Sequence, residues 1–146
     1  MRIREACVAD AFALAPRLRA ADVAEAHALG LNPAKEIVDG VIHSRWTLAL
    51  EVDGVVEALF GVREVSEQVG APWLLGSDKL PRQRRALQRY GPVYIAAMLD
   101  RFPLLENVVH AENTVAIRWL RRAGFTLAAP VQIHRGLFHP FRMSKQ

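Results

Sequence analysis

The chain has 146 residues, of which 51% are hydrophobic and 23% are charged, and its formal net charge at pH 7 is +4. This length and composition exclude a disordered chain and are sufficient for a buried core. No apolar run approaches the roughly 18 residues of a membrane-spanning helix. The first ten residues, MRIREACVAD, place charges where a signal peptide would be apolar. We therefore expect an untargeted, intracellular protein without a membrane span.

The numbers of cysteine, histidine and basic residues limit which metal sites, disulfides and partners the chain can have. A single cysteine, Cys7, excludes an internal disulfide and a cysteine-based metal cluster. The five histidines lack the spacing of a metal site, so we expect no metal. The sequence pI of about 9.8 favours an anionic partner, such as a nucleotide cofactor, nucleic acid or an acidic protein surface. A basic surface that only maintains solubility is the simpler alternative.

The first third of the chain predicts a short strand followed by three helical segments. The strand contains Val8 and ends at Asp10, a residue that often caps a helix. Asp22 and Glu25 have the spacing of a capping box, which would begin the second helix. The dipeptide Asn32-Pro33 supplies a cap and a first residue for the third helix.

The middle of the chain changes from helical to strand periodicity. Apolar residues alternate in WTLALEVDGVVEALFGV, where Asp53-Gly54 indicates a two-residue hairpin turn. The run APWLLGS is apolar almost throughout and fits a buried strand. A helical pattern then extends from Leu80 to Arg101, and we expect Gly91-Pro92 to end one helix and begin another.

The last third predicts a strand in LLENVVHAEN, a helix, and two closing strands in FTLAAPVQI and LFHPFRMSK. Pro130 and Pro140 indicate that the closing strands lie at a sheet edge or contain bulges, because proline cannot donate to a strand ladder. The order of strands and helices along the chain is that of a mixed α/β domain.

The stretch HAENTVAIRWLRRAGF resembles the signature of GNAT N-acetyltransferases. Asn113, Ala116, Gly124 and Phe125 stand where that family has Asn-x-x-Ala and, after the helix, Gly-Phe. The order of elements is also similar over nearly the whole chain. The resemblance implies one GNAT-like α/β domain over residues 1–146. Its central mixed sheet would have six to seven strands flanked by helices, with two central parallel strands that splay apart.

In GNAT enzymes acetyl-CoA lies between the splayed strands, which the resemblance assigns here to APWLLGS and LLENVVHA. A helix N-terminus can bind a pyrophosphate because its first N–H groups have no partner in the helix. We expect the cofactor to contact the first strand, the segment after it and the helix cap. These residues are Trp73, Leu74, Leu75, Gly76, Ser77, Lys79, Arg82, Arg84, Arg85 and Asn113.

The phosphate-binding loop departs from the GNAT pattern. That loop is normally rich in glycine, whereas GSDKLPRQRRA has Gly76 as its only glycine, and Pro81 has no N–H to offer a phosphate. The lysine and arginines of this segment would have to replace the missing amides. Alternatively, they form only the solvated face of a helix.

The catalytic groups depart from the pattern as well. Many GNAT enzymes have a tyrosine acid seven positions after the asparagine, where this chain has Leu120, which cannot donate a proton. No carboxylate precedes Asp78 in the strand that would supply a base. His110 is the remaining catalytic candidate, because its side chain titrates near neutral pH. A lone histidine is more often a surface or hydrogen-bonded residue.

Three functions follow from these features. The C-terminal half is similar to the GNAT-like internal virion proteins of T7-type tailed phages. That similarity implies particle assembly in the host cytoplasm or the virion, with phage structural proteins or a second copy as partners. The alternative is an active acetyl-CoA-dependent N-acetyltransferase, because loss of proton transfer slows such chemistry by about 10²–10⁴-fold without forbidding it. Nucleic-acid binding through residues 82–89 and 118–122 is the weakest, since few aromatic residues accompany these bases.

Overall fold

The computed structural model describes residues 1–146 and contains one eight-stranded mixed sheet with five α-helices. The strands are β1 (Arg2–Glu5), β2 (Ser44–Val52), β3 (Val55–Glu64), β4 (Val69–Gly76), β5 (Leu104–His110), β6 (Thr126–Leu127), β7 (Val131–Ile133) and β8 (Gly136–Ser144). The helices are α1 (Val8–Leu14), α2 (Ala20–Ala28), α3 (Pro33–His43), α4 (Arg84–Arg101) and α5 (Thr114–Ala123). None of the five is both long enough and apolar enough to cross a membrane. The mixed α/β class predicted from the sequence is confirmed.

The sheet opens at its centre. Its strand order is β1-β2-β3-β4-β5-β8-β6, with β7 also beside β8. All neighbouring strands are antiparallel except β4 and β5. These two pair only at Val69–Leu104 and Gly70–Leu105, although β4 continues to Gly76 and β5 to His110. They separate toward their carboxyl ends, so the predicted splayed parallel strands are confirmed.

The two faces of the sheet have separate apolar cores. The core beneath α1 and α3 contains Ala11, Leu14, Ile37, Ala49, Val56 and Leu59. The core beneath α4 and α5 contains Val62, Ile95, Met98, Phe102, Leu105, Val109, Ile117, Leu120, Phe125 and Phe141. Side chains alternate between the two faces along a strand, so β3 contributes Val62 to one core and Leu59 to the other.

The structure confirms several helix ends and the hairpin turn predicted from local sequence. The Asn32 side chain accepts the Lys35 N–H at 3.1 Å and caps α3. Asp53 and Gly54 have φ of 51° and 78°, as a tight hairpin turn between β2 and β3 requires. Gly124 ends α5 with φ of 104°, a left-handed conformation that favours glycine.

The predicted end of the first strand is wrong. Val8 begins α1, Cys7 is its N-cap residue, and Asp10 lies in the first turn of the helix as the third residue of a capping box. There its carboxylate accepts the Cys7 N–H at 2.9 Å and binds both terminal nitrogens of Arg4. The Arg4 guanidinium lowers the pKa of Asp10 to about 2. The ion pair with Arg4 and the hydrogen bond from the Cys7 N–H therefore stabilise Asp10 within the first turn of α1.

The predicted interruption at Gly91-Pro92 is also wrong, because α4 continues through both residues. Gly91 lies against α5, where a Cβ would be 3.1 Å from the Trp119 ring. Pro92 is exposed, so water can satisfy the carbonyl that loses its helical partner. Packing between the two helices overrides the local preference for a break.

The two closing strands differ from the prediction at their prolines. Pro130 divides FTLAAPVQI into β6 and β7, which gives eight strands instead of six to seven. Pro140 lies within β8, between β5 on one side and β6 and β7 on the other, so it is not on an edge strand. Its carbonyl accepts the Ala128 N–H at 2.8 Å, on the side of β6 and β7. The proline nitrogen, which carries no hydrogen, points to the same side. It lies where β6 has ended and β7 has not begun, so no strand hydrogen bond is lost.

Candidate active site

The separation of β4 and β5 opens a cleft of about 680 Å³ that is lined mainly by apolar residues. Trp73, Leu74 and Leu75 on β4 remain half-buried at the centre of the sheet, because β5 has turned away from them. The Asn107 side chain on β5 donates to the Pro72 carbonyl at 2.9 Å and bridges the opening near its narrow end. The cleft therefore exposes strand backbone that a regular sheet would have paired.

One backbone position of β4 faces this cleft without a strand partner. The Pro72 carbonyl and the Gly76 N–H both point toward β5, as their bonds to Asn107 and Asp22 show. The direction of backbone groups alternates along a strand, so the N–H and C=O of Leu74 face the same way. A ligand that contains amides can pair with Leu74 in the manner of an added strand.

Helix α2 crosses the open ends of the two splayed strands. Asp22 Oδ2 accepts the N–H of Gly76, the last residue of β4, at 2.9 Å. Glu25 Oε1 accepts the N–H of His110, the last residue of β5, at 2.6 Å. Arg19 holds Asp22 through contacts of 2.8 and 3.1 Å. The predicted capping box is therefore wrong, because both carboxylates bind strand amides instead of amides of their own helix.

Glu25 is the carboxyl group most altered by its surroundings. Burial raises its pKa to about 7, assisted by the charge of Asp22, while the His110 N–H and Arg19 oppose the shift. Its Oε2 has no hydrogen-bond partner in the protein, and the residue lines the cleft. A carboxyl that titrates near neutral pH can accept a proton from a reacting amine. The sequence pattern predicted Glu25 only as part of a helix cap, so its burial in the cleft is a finding of the structure.

The structure brings only part of the predicted cofactor site together. The predicted residues that line the cleft are Trp73, Leu74, Leu75, Arg84 and Asn113. Those that lie outside its lining are Gly76, Ser77, Lys79, Arg82, Arg85 and the catalytic candidate His110. All eleven assignments remain predictions, since their roles depend on a ligand.

The residues outside the lining have other contacts. Ser77 is buried and donates to Glu57 at 3.2 Å, while Lys79, Arg82 and Arg85 are exposed. The His110 ring lies against Phe138, with 5.1 Å between ring centroids.

Unpaired basic groups lie on the α4 and α5 side of the cleft. Arg84 at the start of α4, and Arg118 and Arg122 on α5, line the cleft and form no ion pair. Asn113 caps α5 by accepting the Ala116 N–H at 3.4 Å. These guanidinium groups can bind phosphate oxygens through charge-assisted hydrogen bonds.

The position expected for the tyrosine acid has no donor. Leu120 is 8% exposed and packs in the core beneath α4 and α5. The phenols that line the cleft are Tyr90 and Tyr94 on α4, which the sequence analysis did not consider. The Tyr94 ring meets Phe60 edge-on at 5.3 Å. Proton donors are thus present in the cleft, although on a different helix.

Comparison with solved structures identifies the fold. A GNAT-family acetyltransferase from Streptococcus pneumoniae superposes with a TM-score of 0.67 at 13% identity, covering 99% of both chains. The chain has the GNAT acetyltransferase fold. Aminoglycoside acetyltransferase AAC(6')-Ib in complex with coenzyme A gives 0.71 at 13% identity, covering 99% of this chain and 94% of that one. The yncA structure from Salmonella typhimurium with its cofactor acetyl-CoA gives 0.62 at 14%, with 99% and 94% covered. No family model and no curated protein matches the sequence.

The electrostatic coupling on α2 can be measured without a ligand. Substituting Asp22→Asn should lower the pKa of Glu25 below about 7, because it removes a negative neighbour and leaves the charge of Arg19 unopposed. Asparagine still offers an oxygen to the Gly76 N–H, so the fold should be retained. Carbon-13 NMR titration of the Glu25 carboxyl measures this pKa.

The matched control is Glu36→Gln, which removes another cleft-lining carboxylate that is not among the groups shifting the Glu25 pKa. It should leave that pKa unchanged. An unchanged or raised Glu25 pKa in the Asp22→Asn variant would contradict the coupling.

Proposed function

We propose that the protein is an acetyl-CoA-dependent acetyltransferase that acts on an amine, with Glu25 as the general base. The observation that carries this proposal is the free oxygen of Glu25, a carboxyl with a pKa of about 7, in the cleft between β4 and β5. An active base needs a pKa near the working pH and access to the proton that it removes. The pKa of Glu25 supports the first requirement, and its unbonded oxygen at the cleft supports the second.

Acetyl-CoA fits the chemistry of the cleft walls. The backbone of Leu74 would bind the amides of the pantetheine arm, and Arg84, Arg118 and Arg122 would bind the phosphates. When bound, the cofactor supplies an activated acetyl thioester. Two GNAT-fold structures with coenzyme A or acetyl-CoA support this fit. The Gly76 N–H is the exception, because Asp22 already occupies it.

In this proposal the proton acceptor and the proton donors lie on helices that cover opposite faces of the sheet. Glu25 takes a proton from the acceptor nitrogen, and the apolar lining keeps bulk water from the thioester. Tyr90 and Tyr94 are the cleft phenols that can return a proton to the departing thiolate. This assignment gives the base to Glu25, while a catalytic role for His110 stays a prediction from the sequence.

A second candidate function is the assembly role that follows from the phage-protein resemblance. Two features favour it. Asp22 already accepts the Gly76 N–H, and a buried Leu120 occupies the position where many GNAT enzymes have a tyrosine acid. In that case the GNAT fold would serve as a scaffold for virion partners or for a second copy. Co-purification with phage structural proteins, with no affinity for acetyl-CoA, would favour this function over the enzyme.

Calorimetric titration with acetyl-CoA tests the cofactor site. We expect a dissociation constant of roughly 1–100 µM. The Arg84→Ala/Arg118→Ala double variant should weaken binding about tenfold, because it removes two unpaired charges from the cleft. Arg82→Ala/Arg85→Ala is the matched control, since both side chains lie outside the lining.

The sequence pattern instead places Arg82, Arg84 and Arg85 together at the phosphates, so on that prediction the Arg82/Arg85 variant should also weaken binding. Weaker binding only in the Arg82/Arg85 variant would move the phosphates to the loop after β4. No binding by the unmodified protein at millimolar acetyl-CoA would contradict the proposed function.

Substitution Glu25→Gln tests the base. The rate of acetyl transfer at neutral pH should fall by about 10²-fold or more, while the affinity for acetyl-CoA changes little. In the unmodified protein, activity should rise as pH increases through about 7, because the base works in its deprotonated form. Steady-state assays of thiol release across pH measure both effects. A Glu25→Gln variant with full activity would exclude Glu25 as the base, and Glu36→Gln is the control.

A further inference from the structure

We infer that the acceptor is a primary amine with a single positive charge on an apolar carbon skeleton. This inference rests on the proposed function and concerns the half of the same cleft that faces α2 and α3. The charges and the walls of this compartment carry it.

Only one of the carboxylates that line the cleft has no ion-pair partner. The acidic lining residues are Asp22, Glu25 and Glu36. Arg19 binds Asp22 at 2.8 Å, and Arg63 lies 3.6 Å from Glu36. Glu25 has no ion-pair partner, so one ammonium group can find a counter-charge here.

A second ammonium in the compartment would have to compete with Arg19 or Arg63 for a carboxylate. Moving a charged group from water into an apolar cleft costs several kcal/mol when no opposite charge or hydrogen bond replaces its hydration. A polyamine or an aminoglycoside, each with several cationic groups, would pay this cost for every additional group. The arrangement of carboxylates therefore selects against them.

Apart from the ion-paired residues, the lining on this side of the cleft is largely apolar. Ala26 and Leu29 on and after α2, together with Leu31 in the turn before α3, line the cleft. Trp73 also lines the cleft, and its ring packs against α3, where a Cβ at Gly40 would lie 3.0 Å from it. The Trp73 indole N–H already donates to Ser44 at 2.7 Å, so the ring offers the acceptor apolar surface without a free donor.

This combination matches an amine with an aromatic or aliphatic body. Each CH₂ group removed from water contributes about 0.8 kcal/mol, so the body supplies affinity while Glu25 fixes the nitrogen. A polar body would leave its hydrogen-bonding groups without partners against Leu29, Leu31 and Trp73.

Binding and turnover of defined amines test the inference. The probes are 2-phenylethylamine, spermidine and kanamycin, each titrated with acetyl-CoA present. Binding is followed by the NMR shift of the Trp73 indole N–H, and turnover is followed by thiol release. We expect 2-phenylethylamine to exceed the two polycations at least tenfold in both affinity and kcat/KM. Equal or better values for spermidine or kanamycin would overturn the inference.

A charge inserted into the wall sharpens the test. Leu31 is 40% exposed, so Leu31→Glu should fold and add a free carboxylate at the cleft. We expect it to weaken 2-phenylethylamine binding and to strengthen spermidine binding, each about tenfold. Ile42→Glu is the control, because Ile42 is 56% exposed on α3 and lies outside the lining. Equal effects of the two substitutions would contradict the assignment of this wall.

The two readouts separate the inference from the proposed function. Selective 2-phenylethylamine binding without turnover would support the ligand class and contradict catalysis. Turnover that favours a polycation would support catalysis and contradict the ligand class. Absence of binding for all three probes would overturn the inference even if acetyl-CoA binds.

Discussion

Two carboxylates on one turn of α2 hold the ends of the splayed strands. Asp22 accepts the final N–H of β4, and Glu25 accepts the final N–H of β5. In a regular parallel sheet the strands would satisfy these amides through each other, whereas splayed strands need other acceptors for buried N–H groups. The β7–β8 turn fixes α2 further, since the Arg135 N–H donates to the Ala28 carbonyl at 2.9 Å. The open cleft depends on this arrangement.

The same arrangement gives the cleft its chemistry. To reach the His110 N–H, Glu25 must be buried beside Asp22, and both burial and that neighbour raise its pKa. Its second oxygen is left free in the cleft, so a structural contact also produces a group suited to proton transfer. The GNAT fold alone does not decide activity, because one fold can host many functions. Glu25 and the unpaired arginines of the same cleft are therefore the features that favour an enzyme.

Local signals predicted the fold well, whereas long-range contacts decided the site. Asn113 begins α5 and Gly124 ends it through contacts within one helical turn, so sequence spacing was sufficient to identify both residues. Gly91-Pro92 failed as a break because α4 packs on Trp119, a contact that no local pattern contains. Glu25 meets His110 across 85 positions, and its i, i+3 spacing from Asp22 resembled a helix cap. The two acids in the alanine-rich segment AADVAEAHA were the available signal.

A crystal structure of the protein grown with acetyl-CoA would test the central claim most directly. We expect electron density for the cofactor between β4 and β5, with an amide of the pantetheine arm on the backbone of Leu74. We also expect phosphate density beside Arg84 or Arg118, and Glu25 still bound to the His110 N–H. Cofactor density elsewhere on the surface, or an empty cleft at saturating acetyl-CoA, would contradict the account.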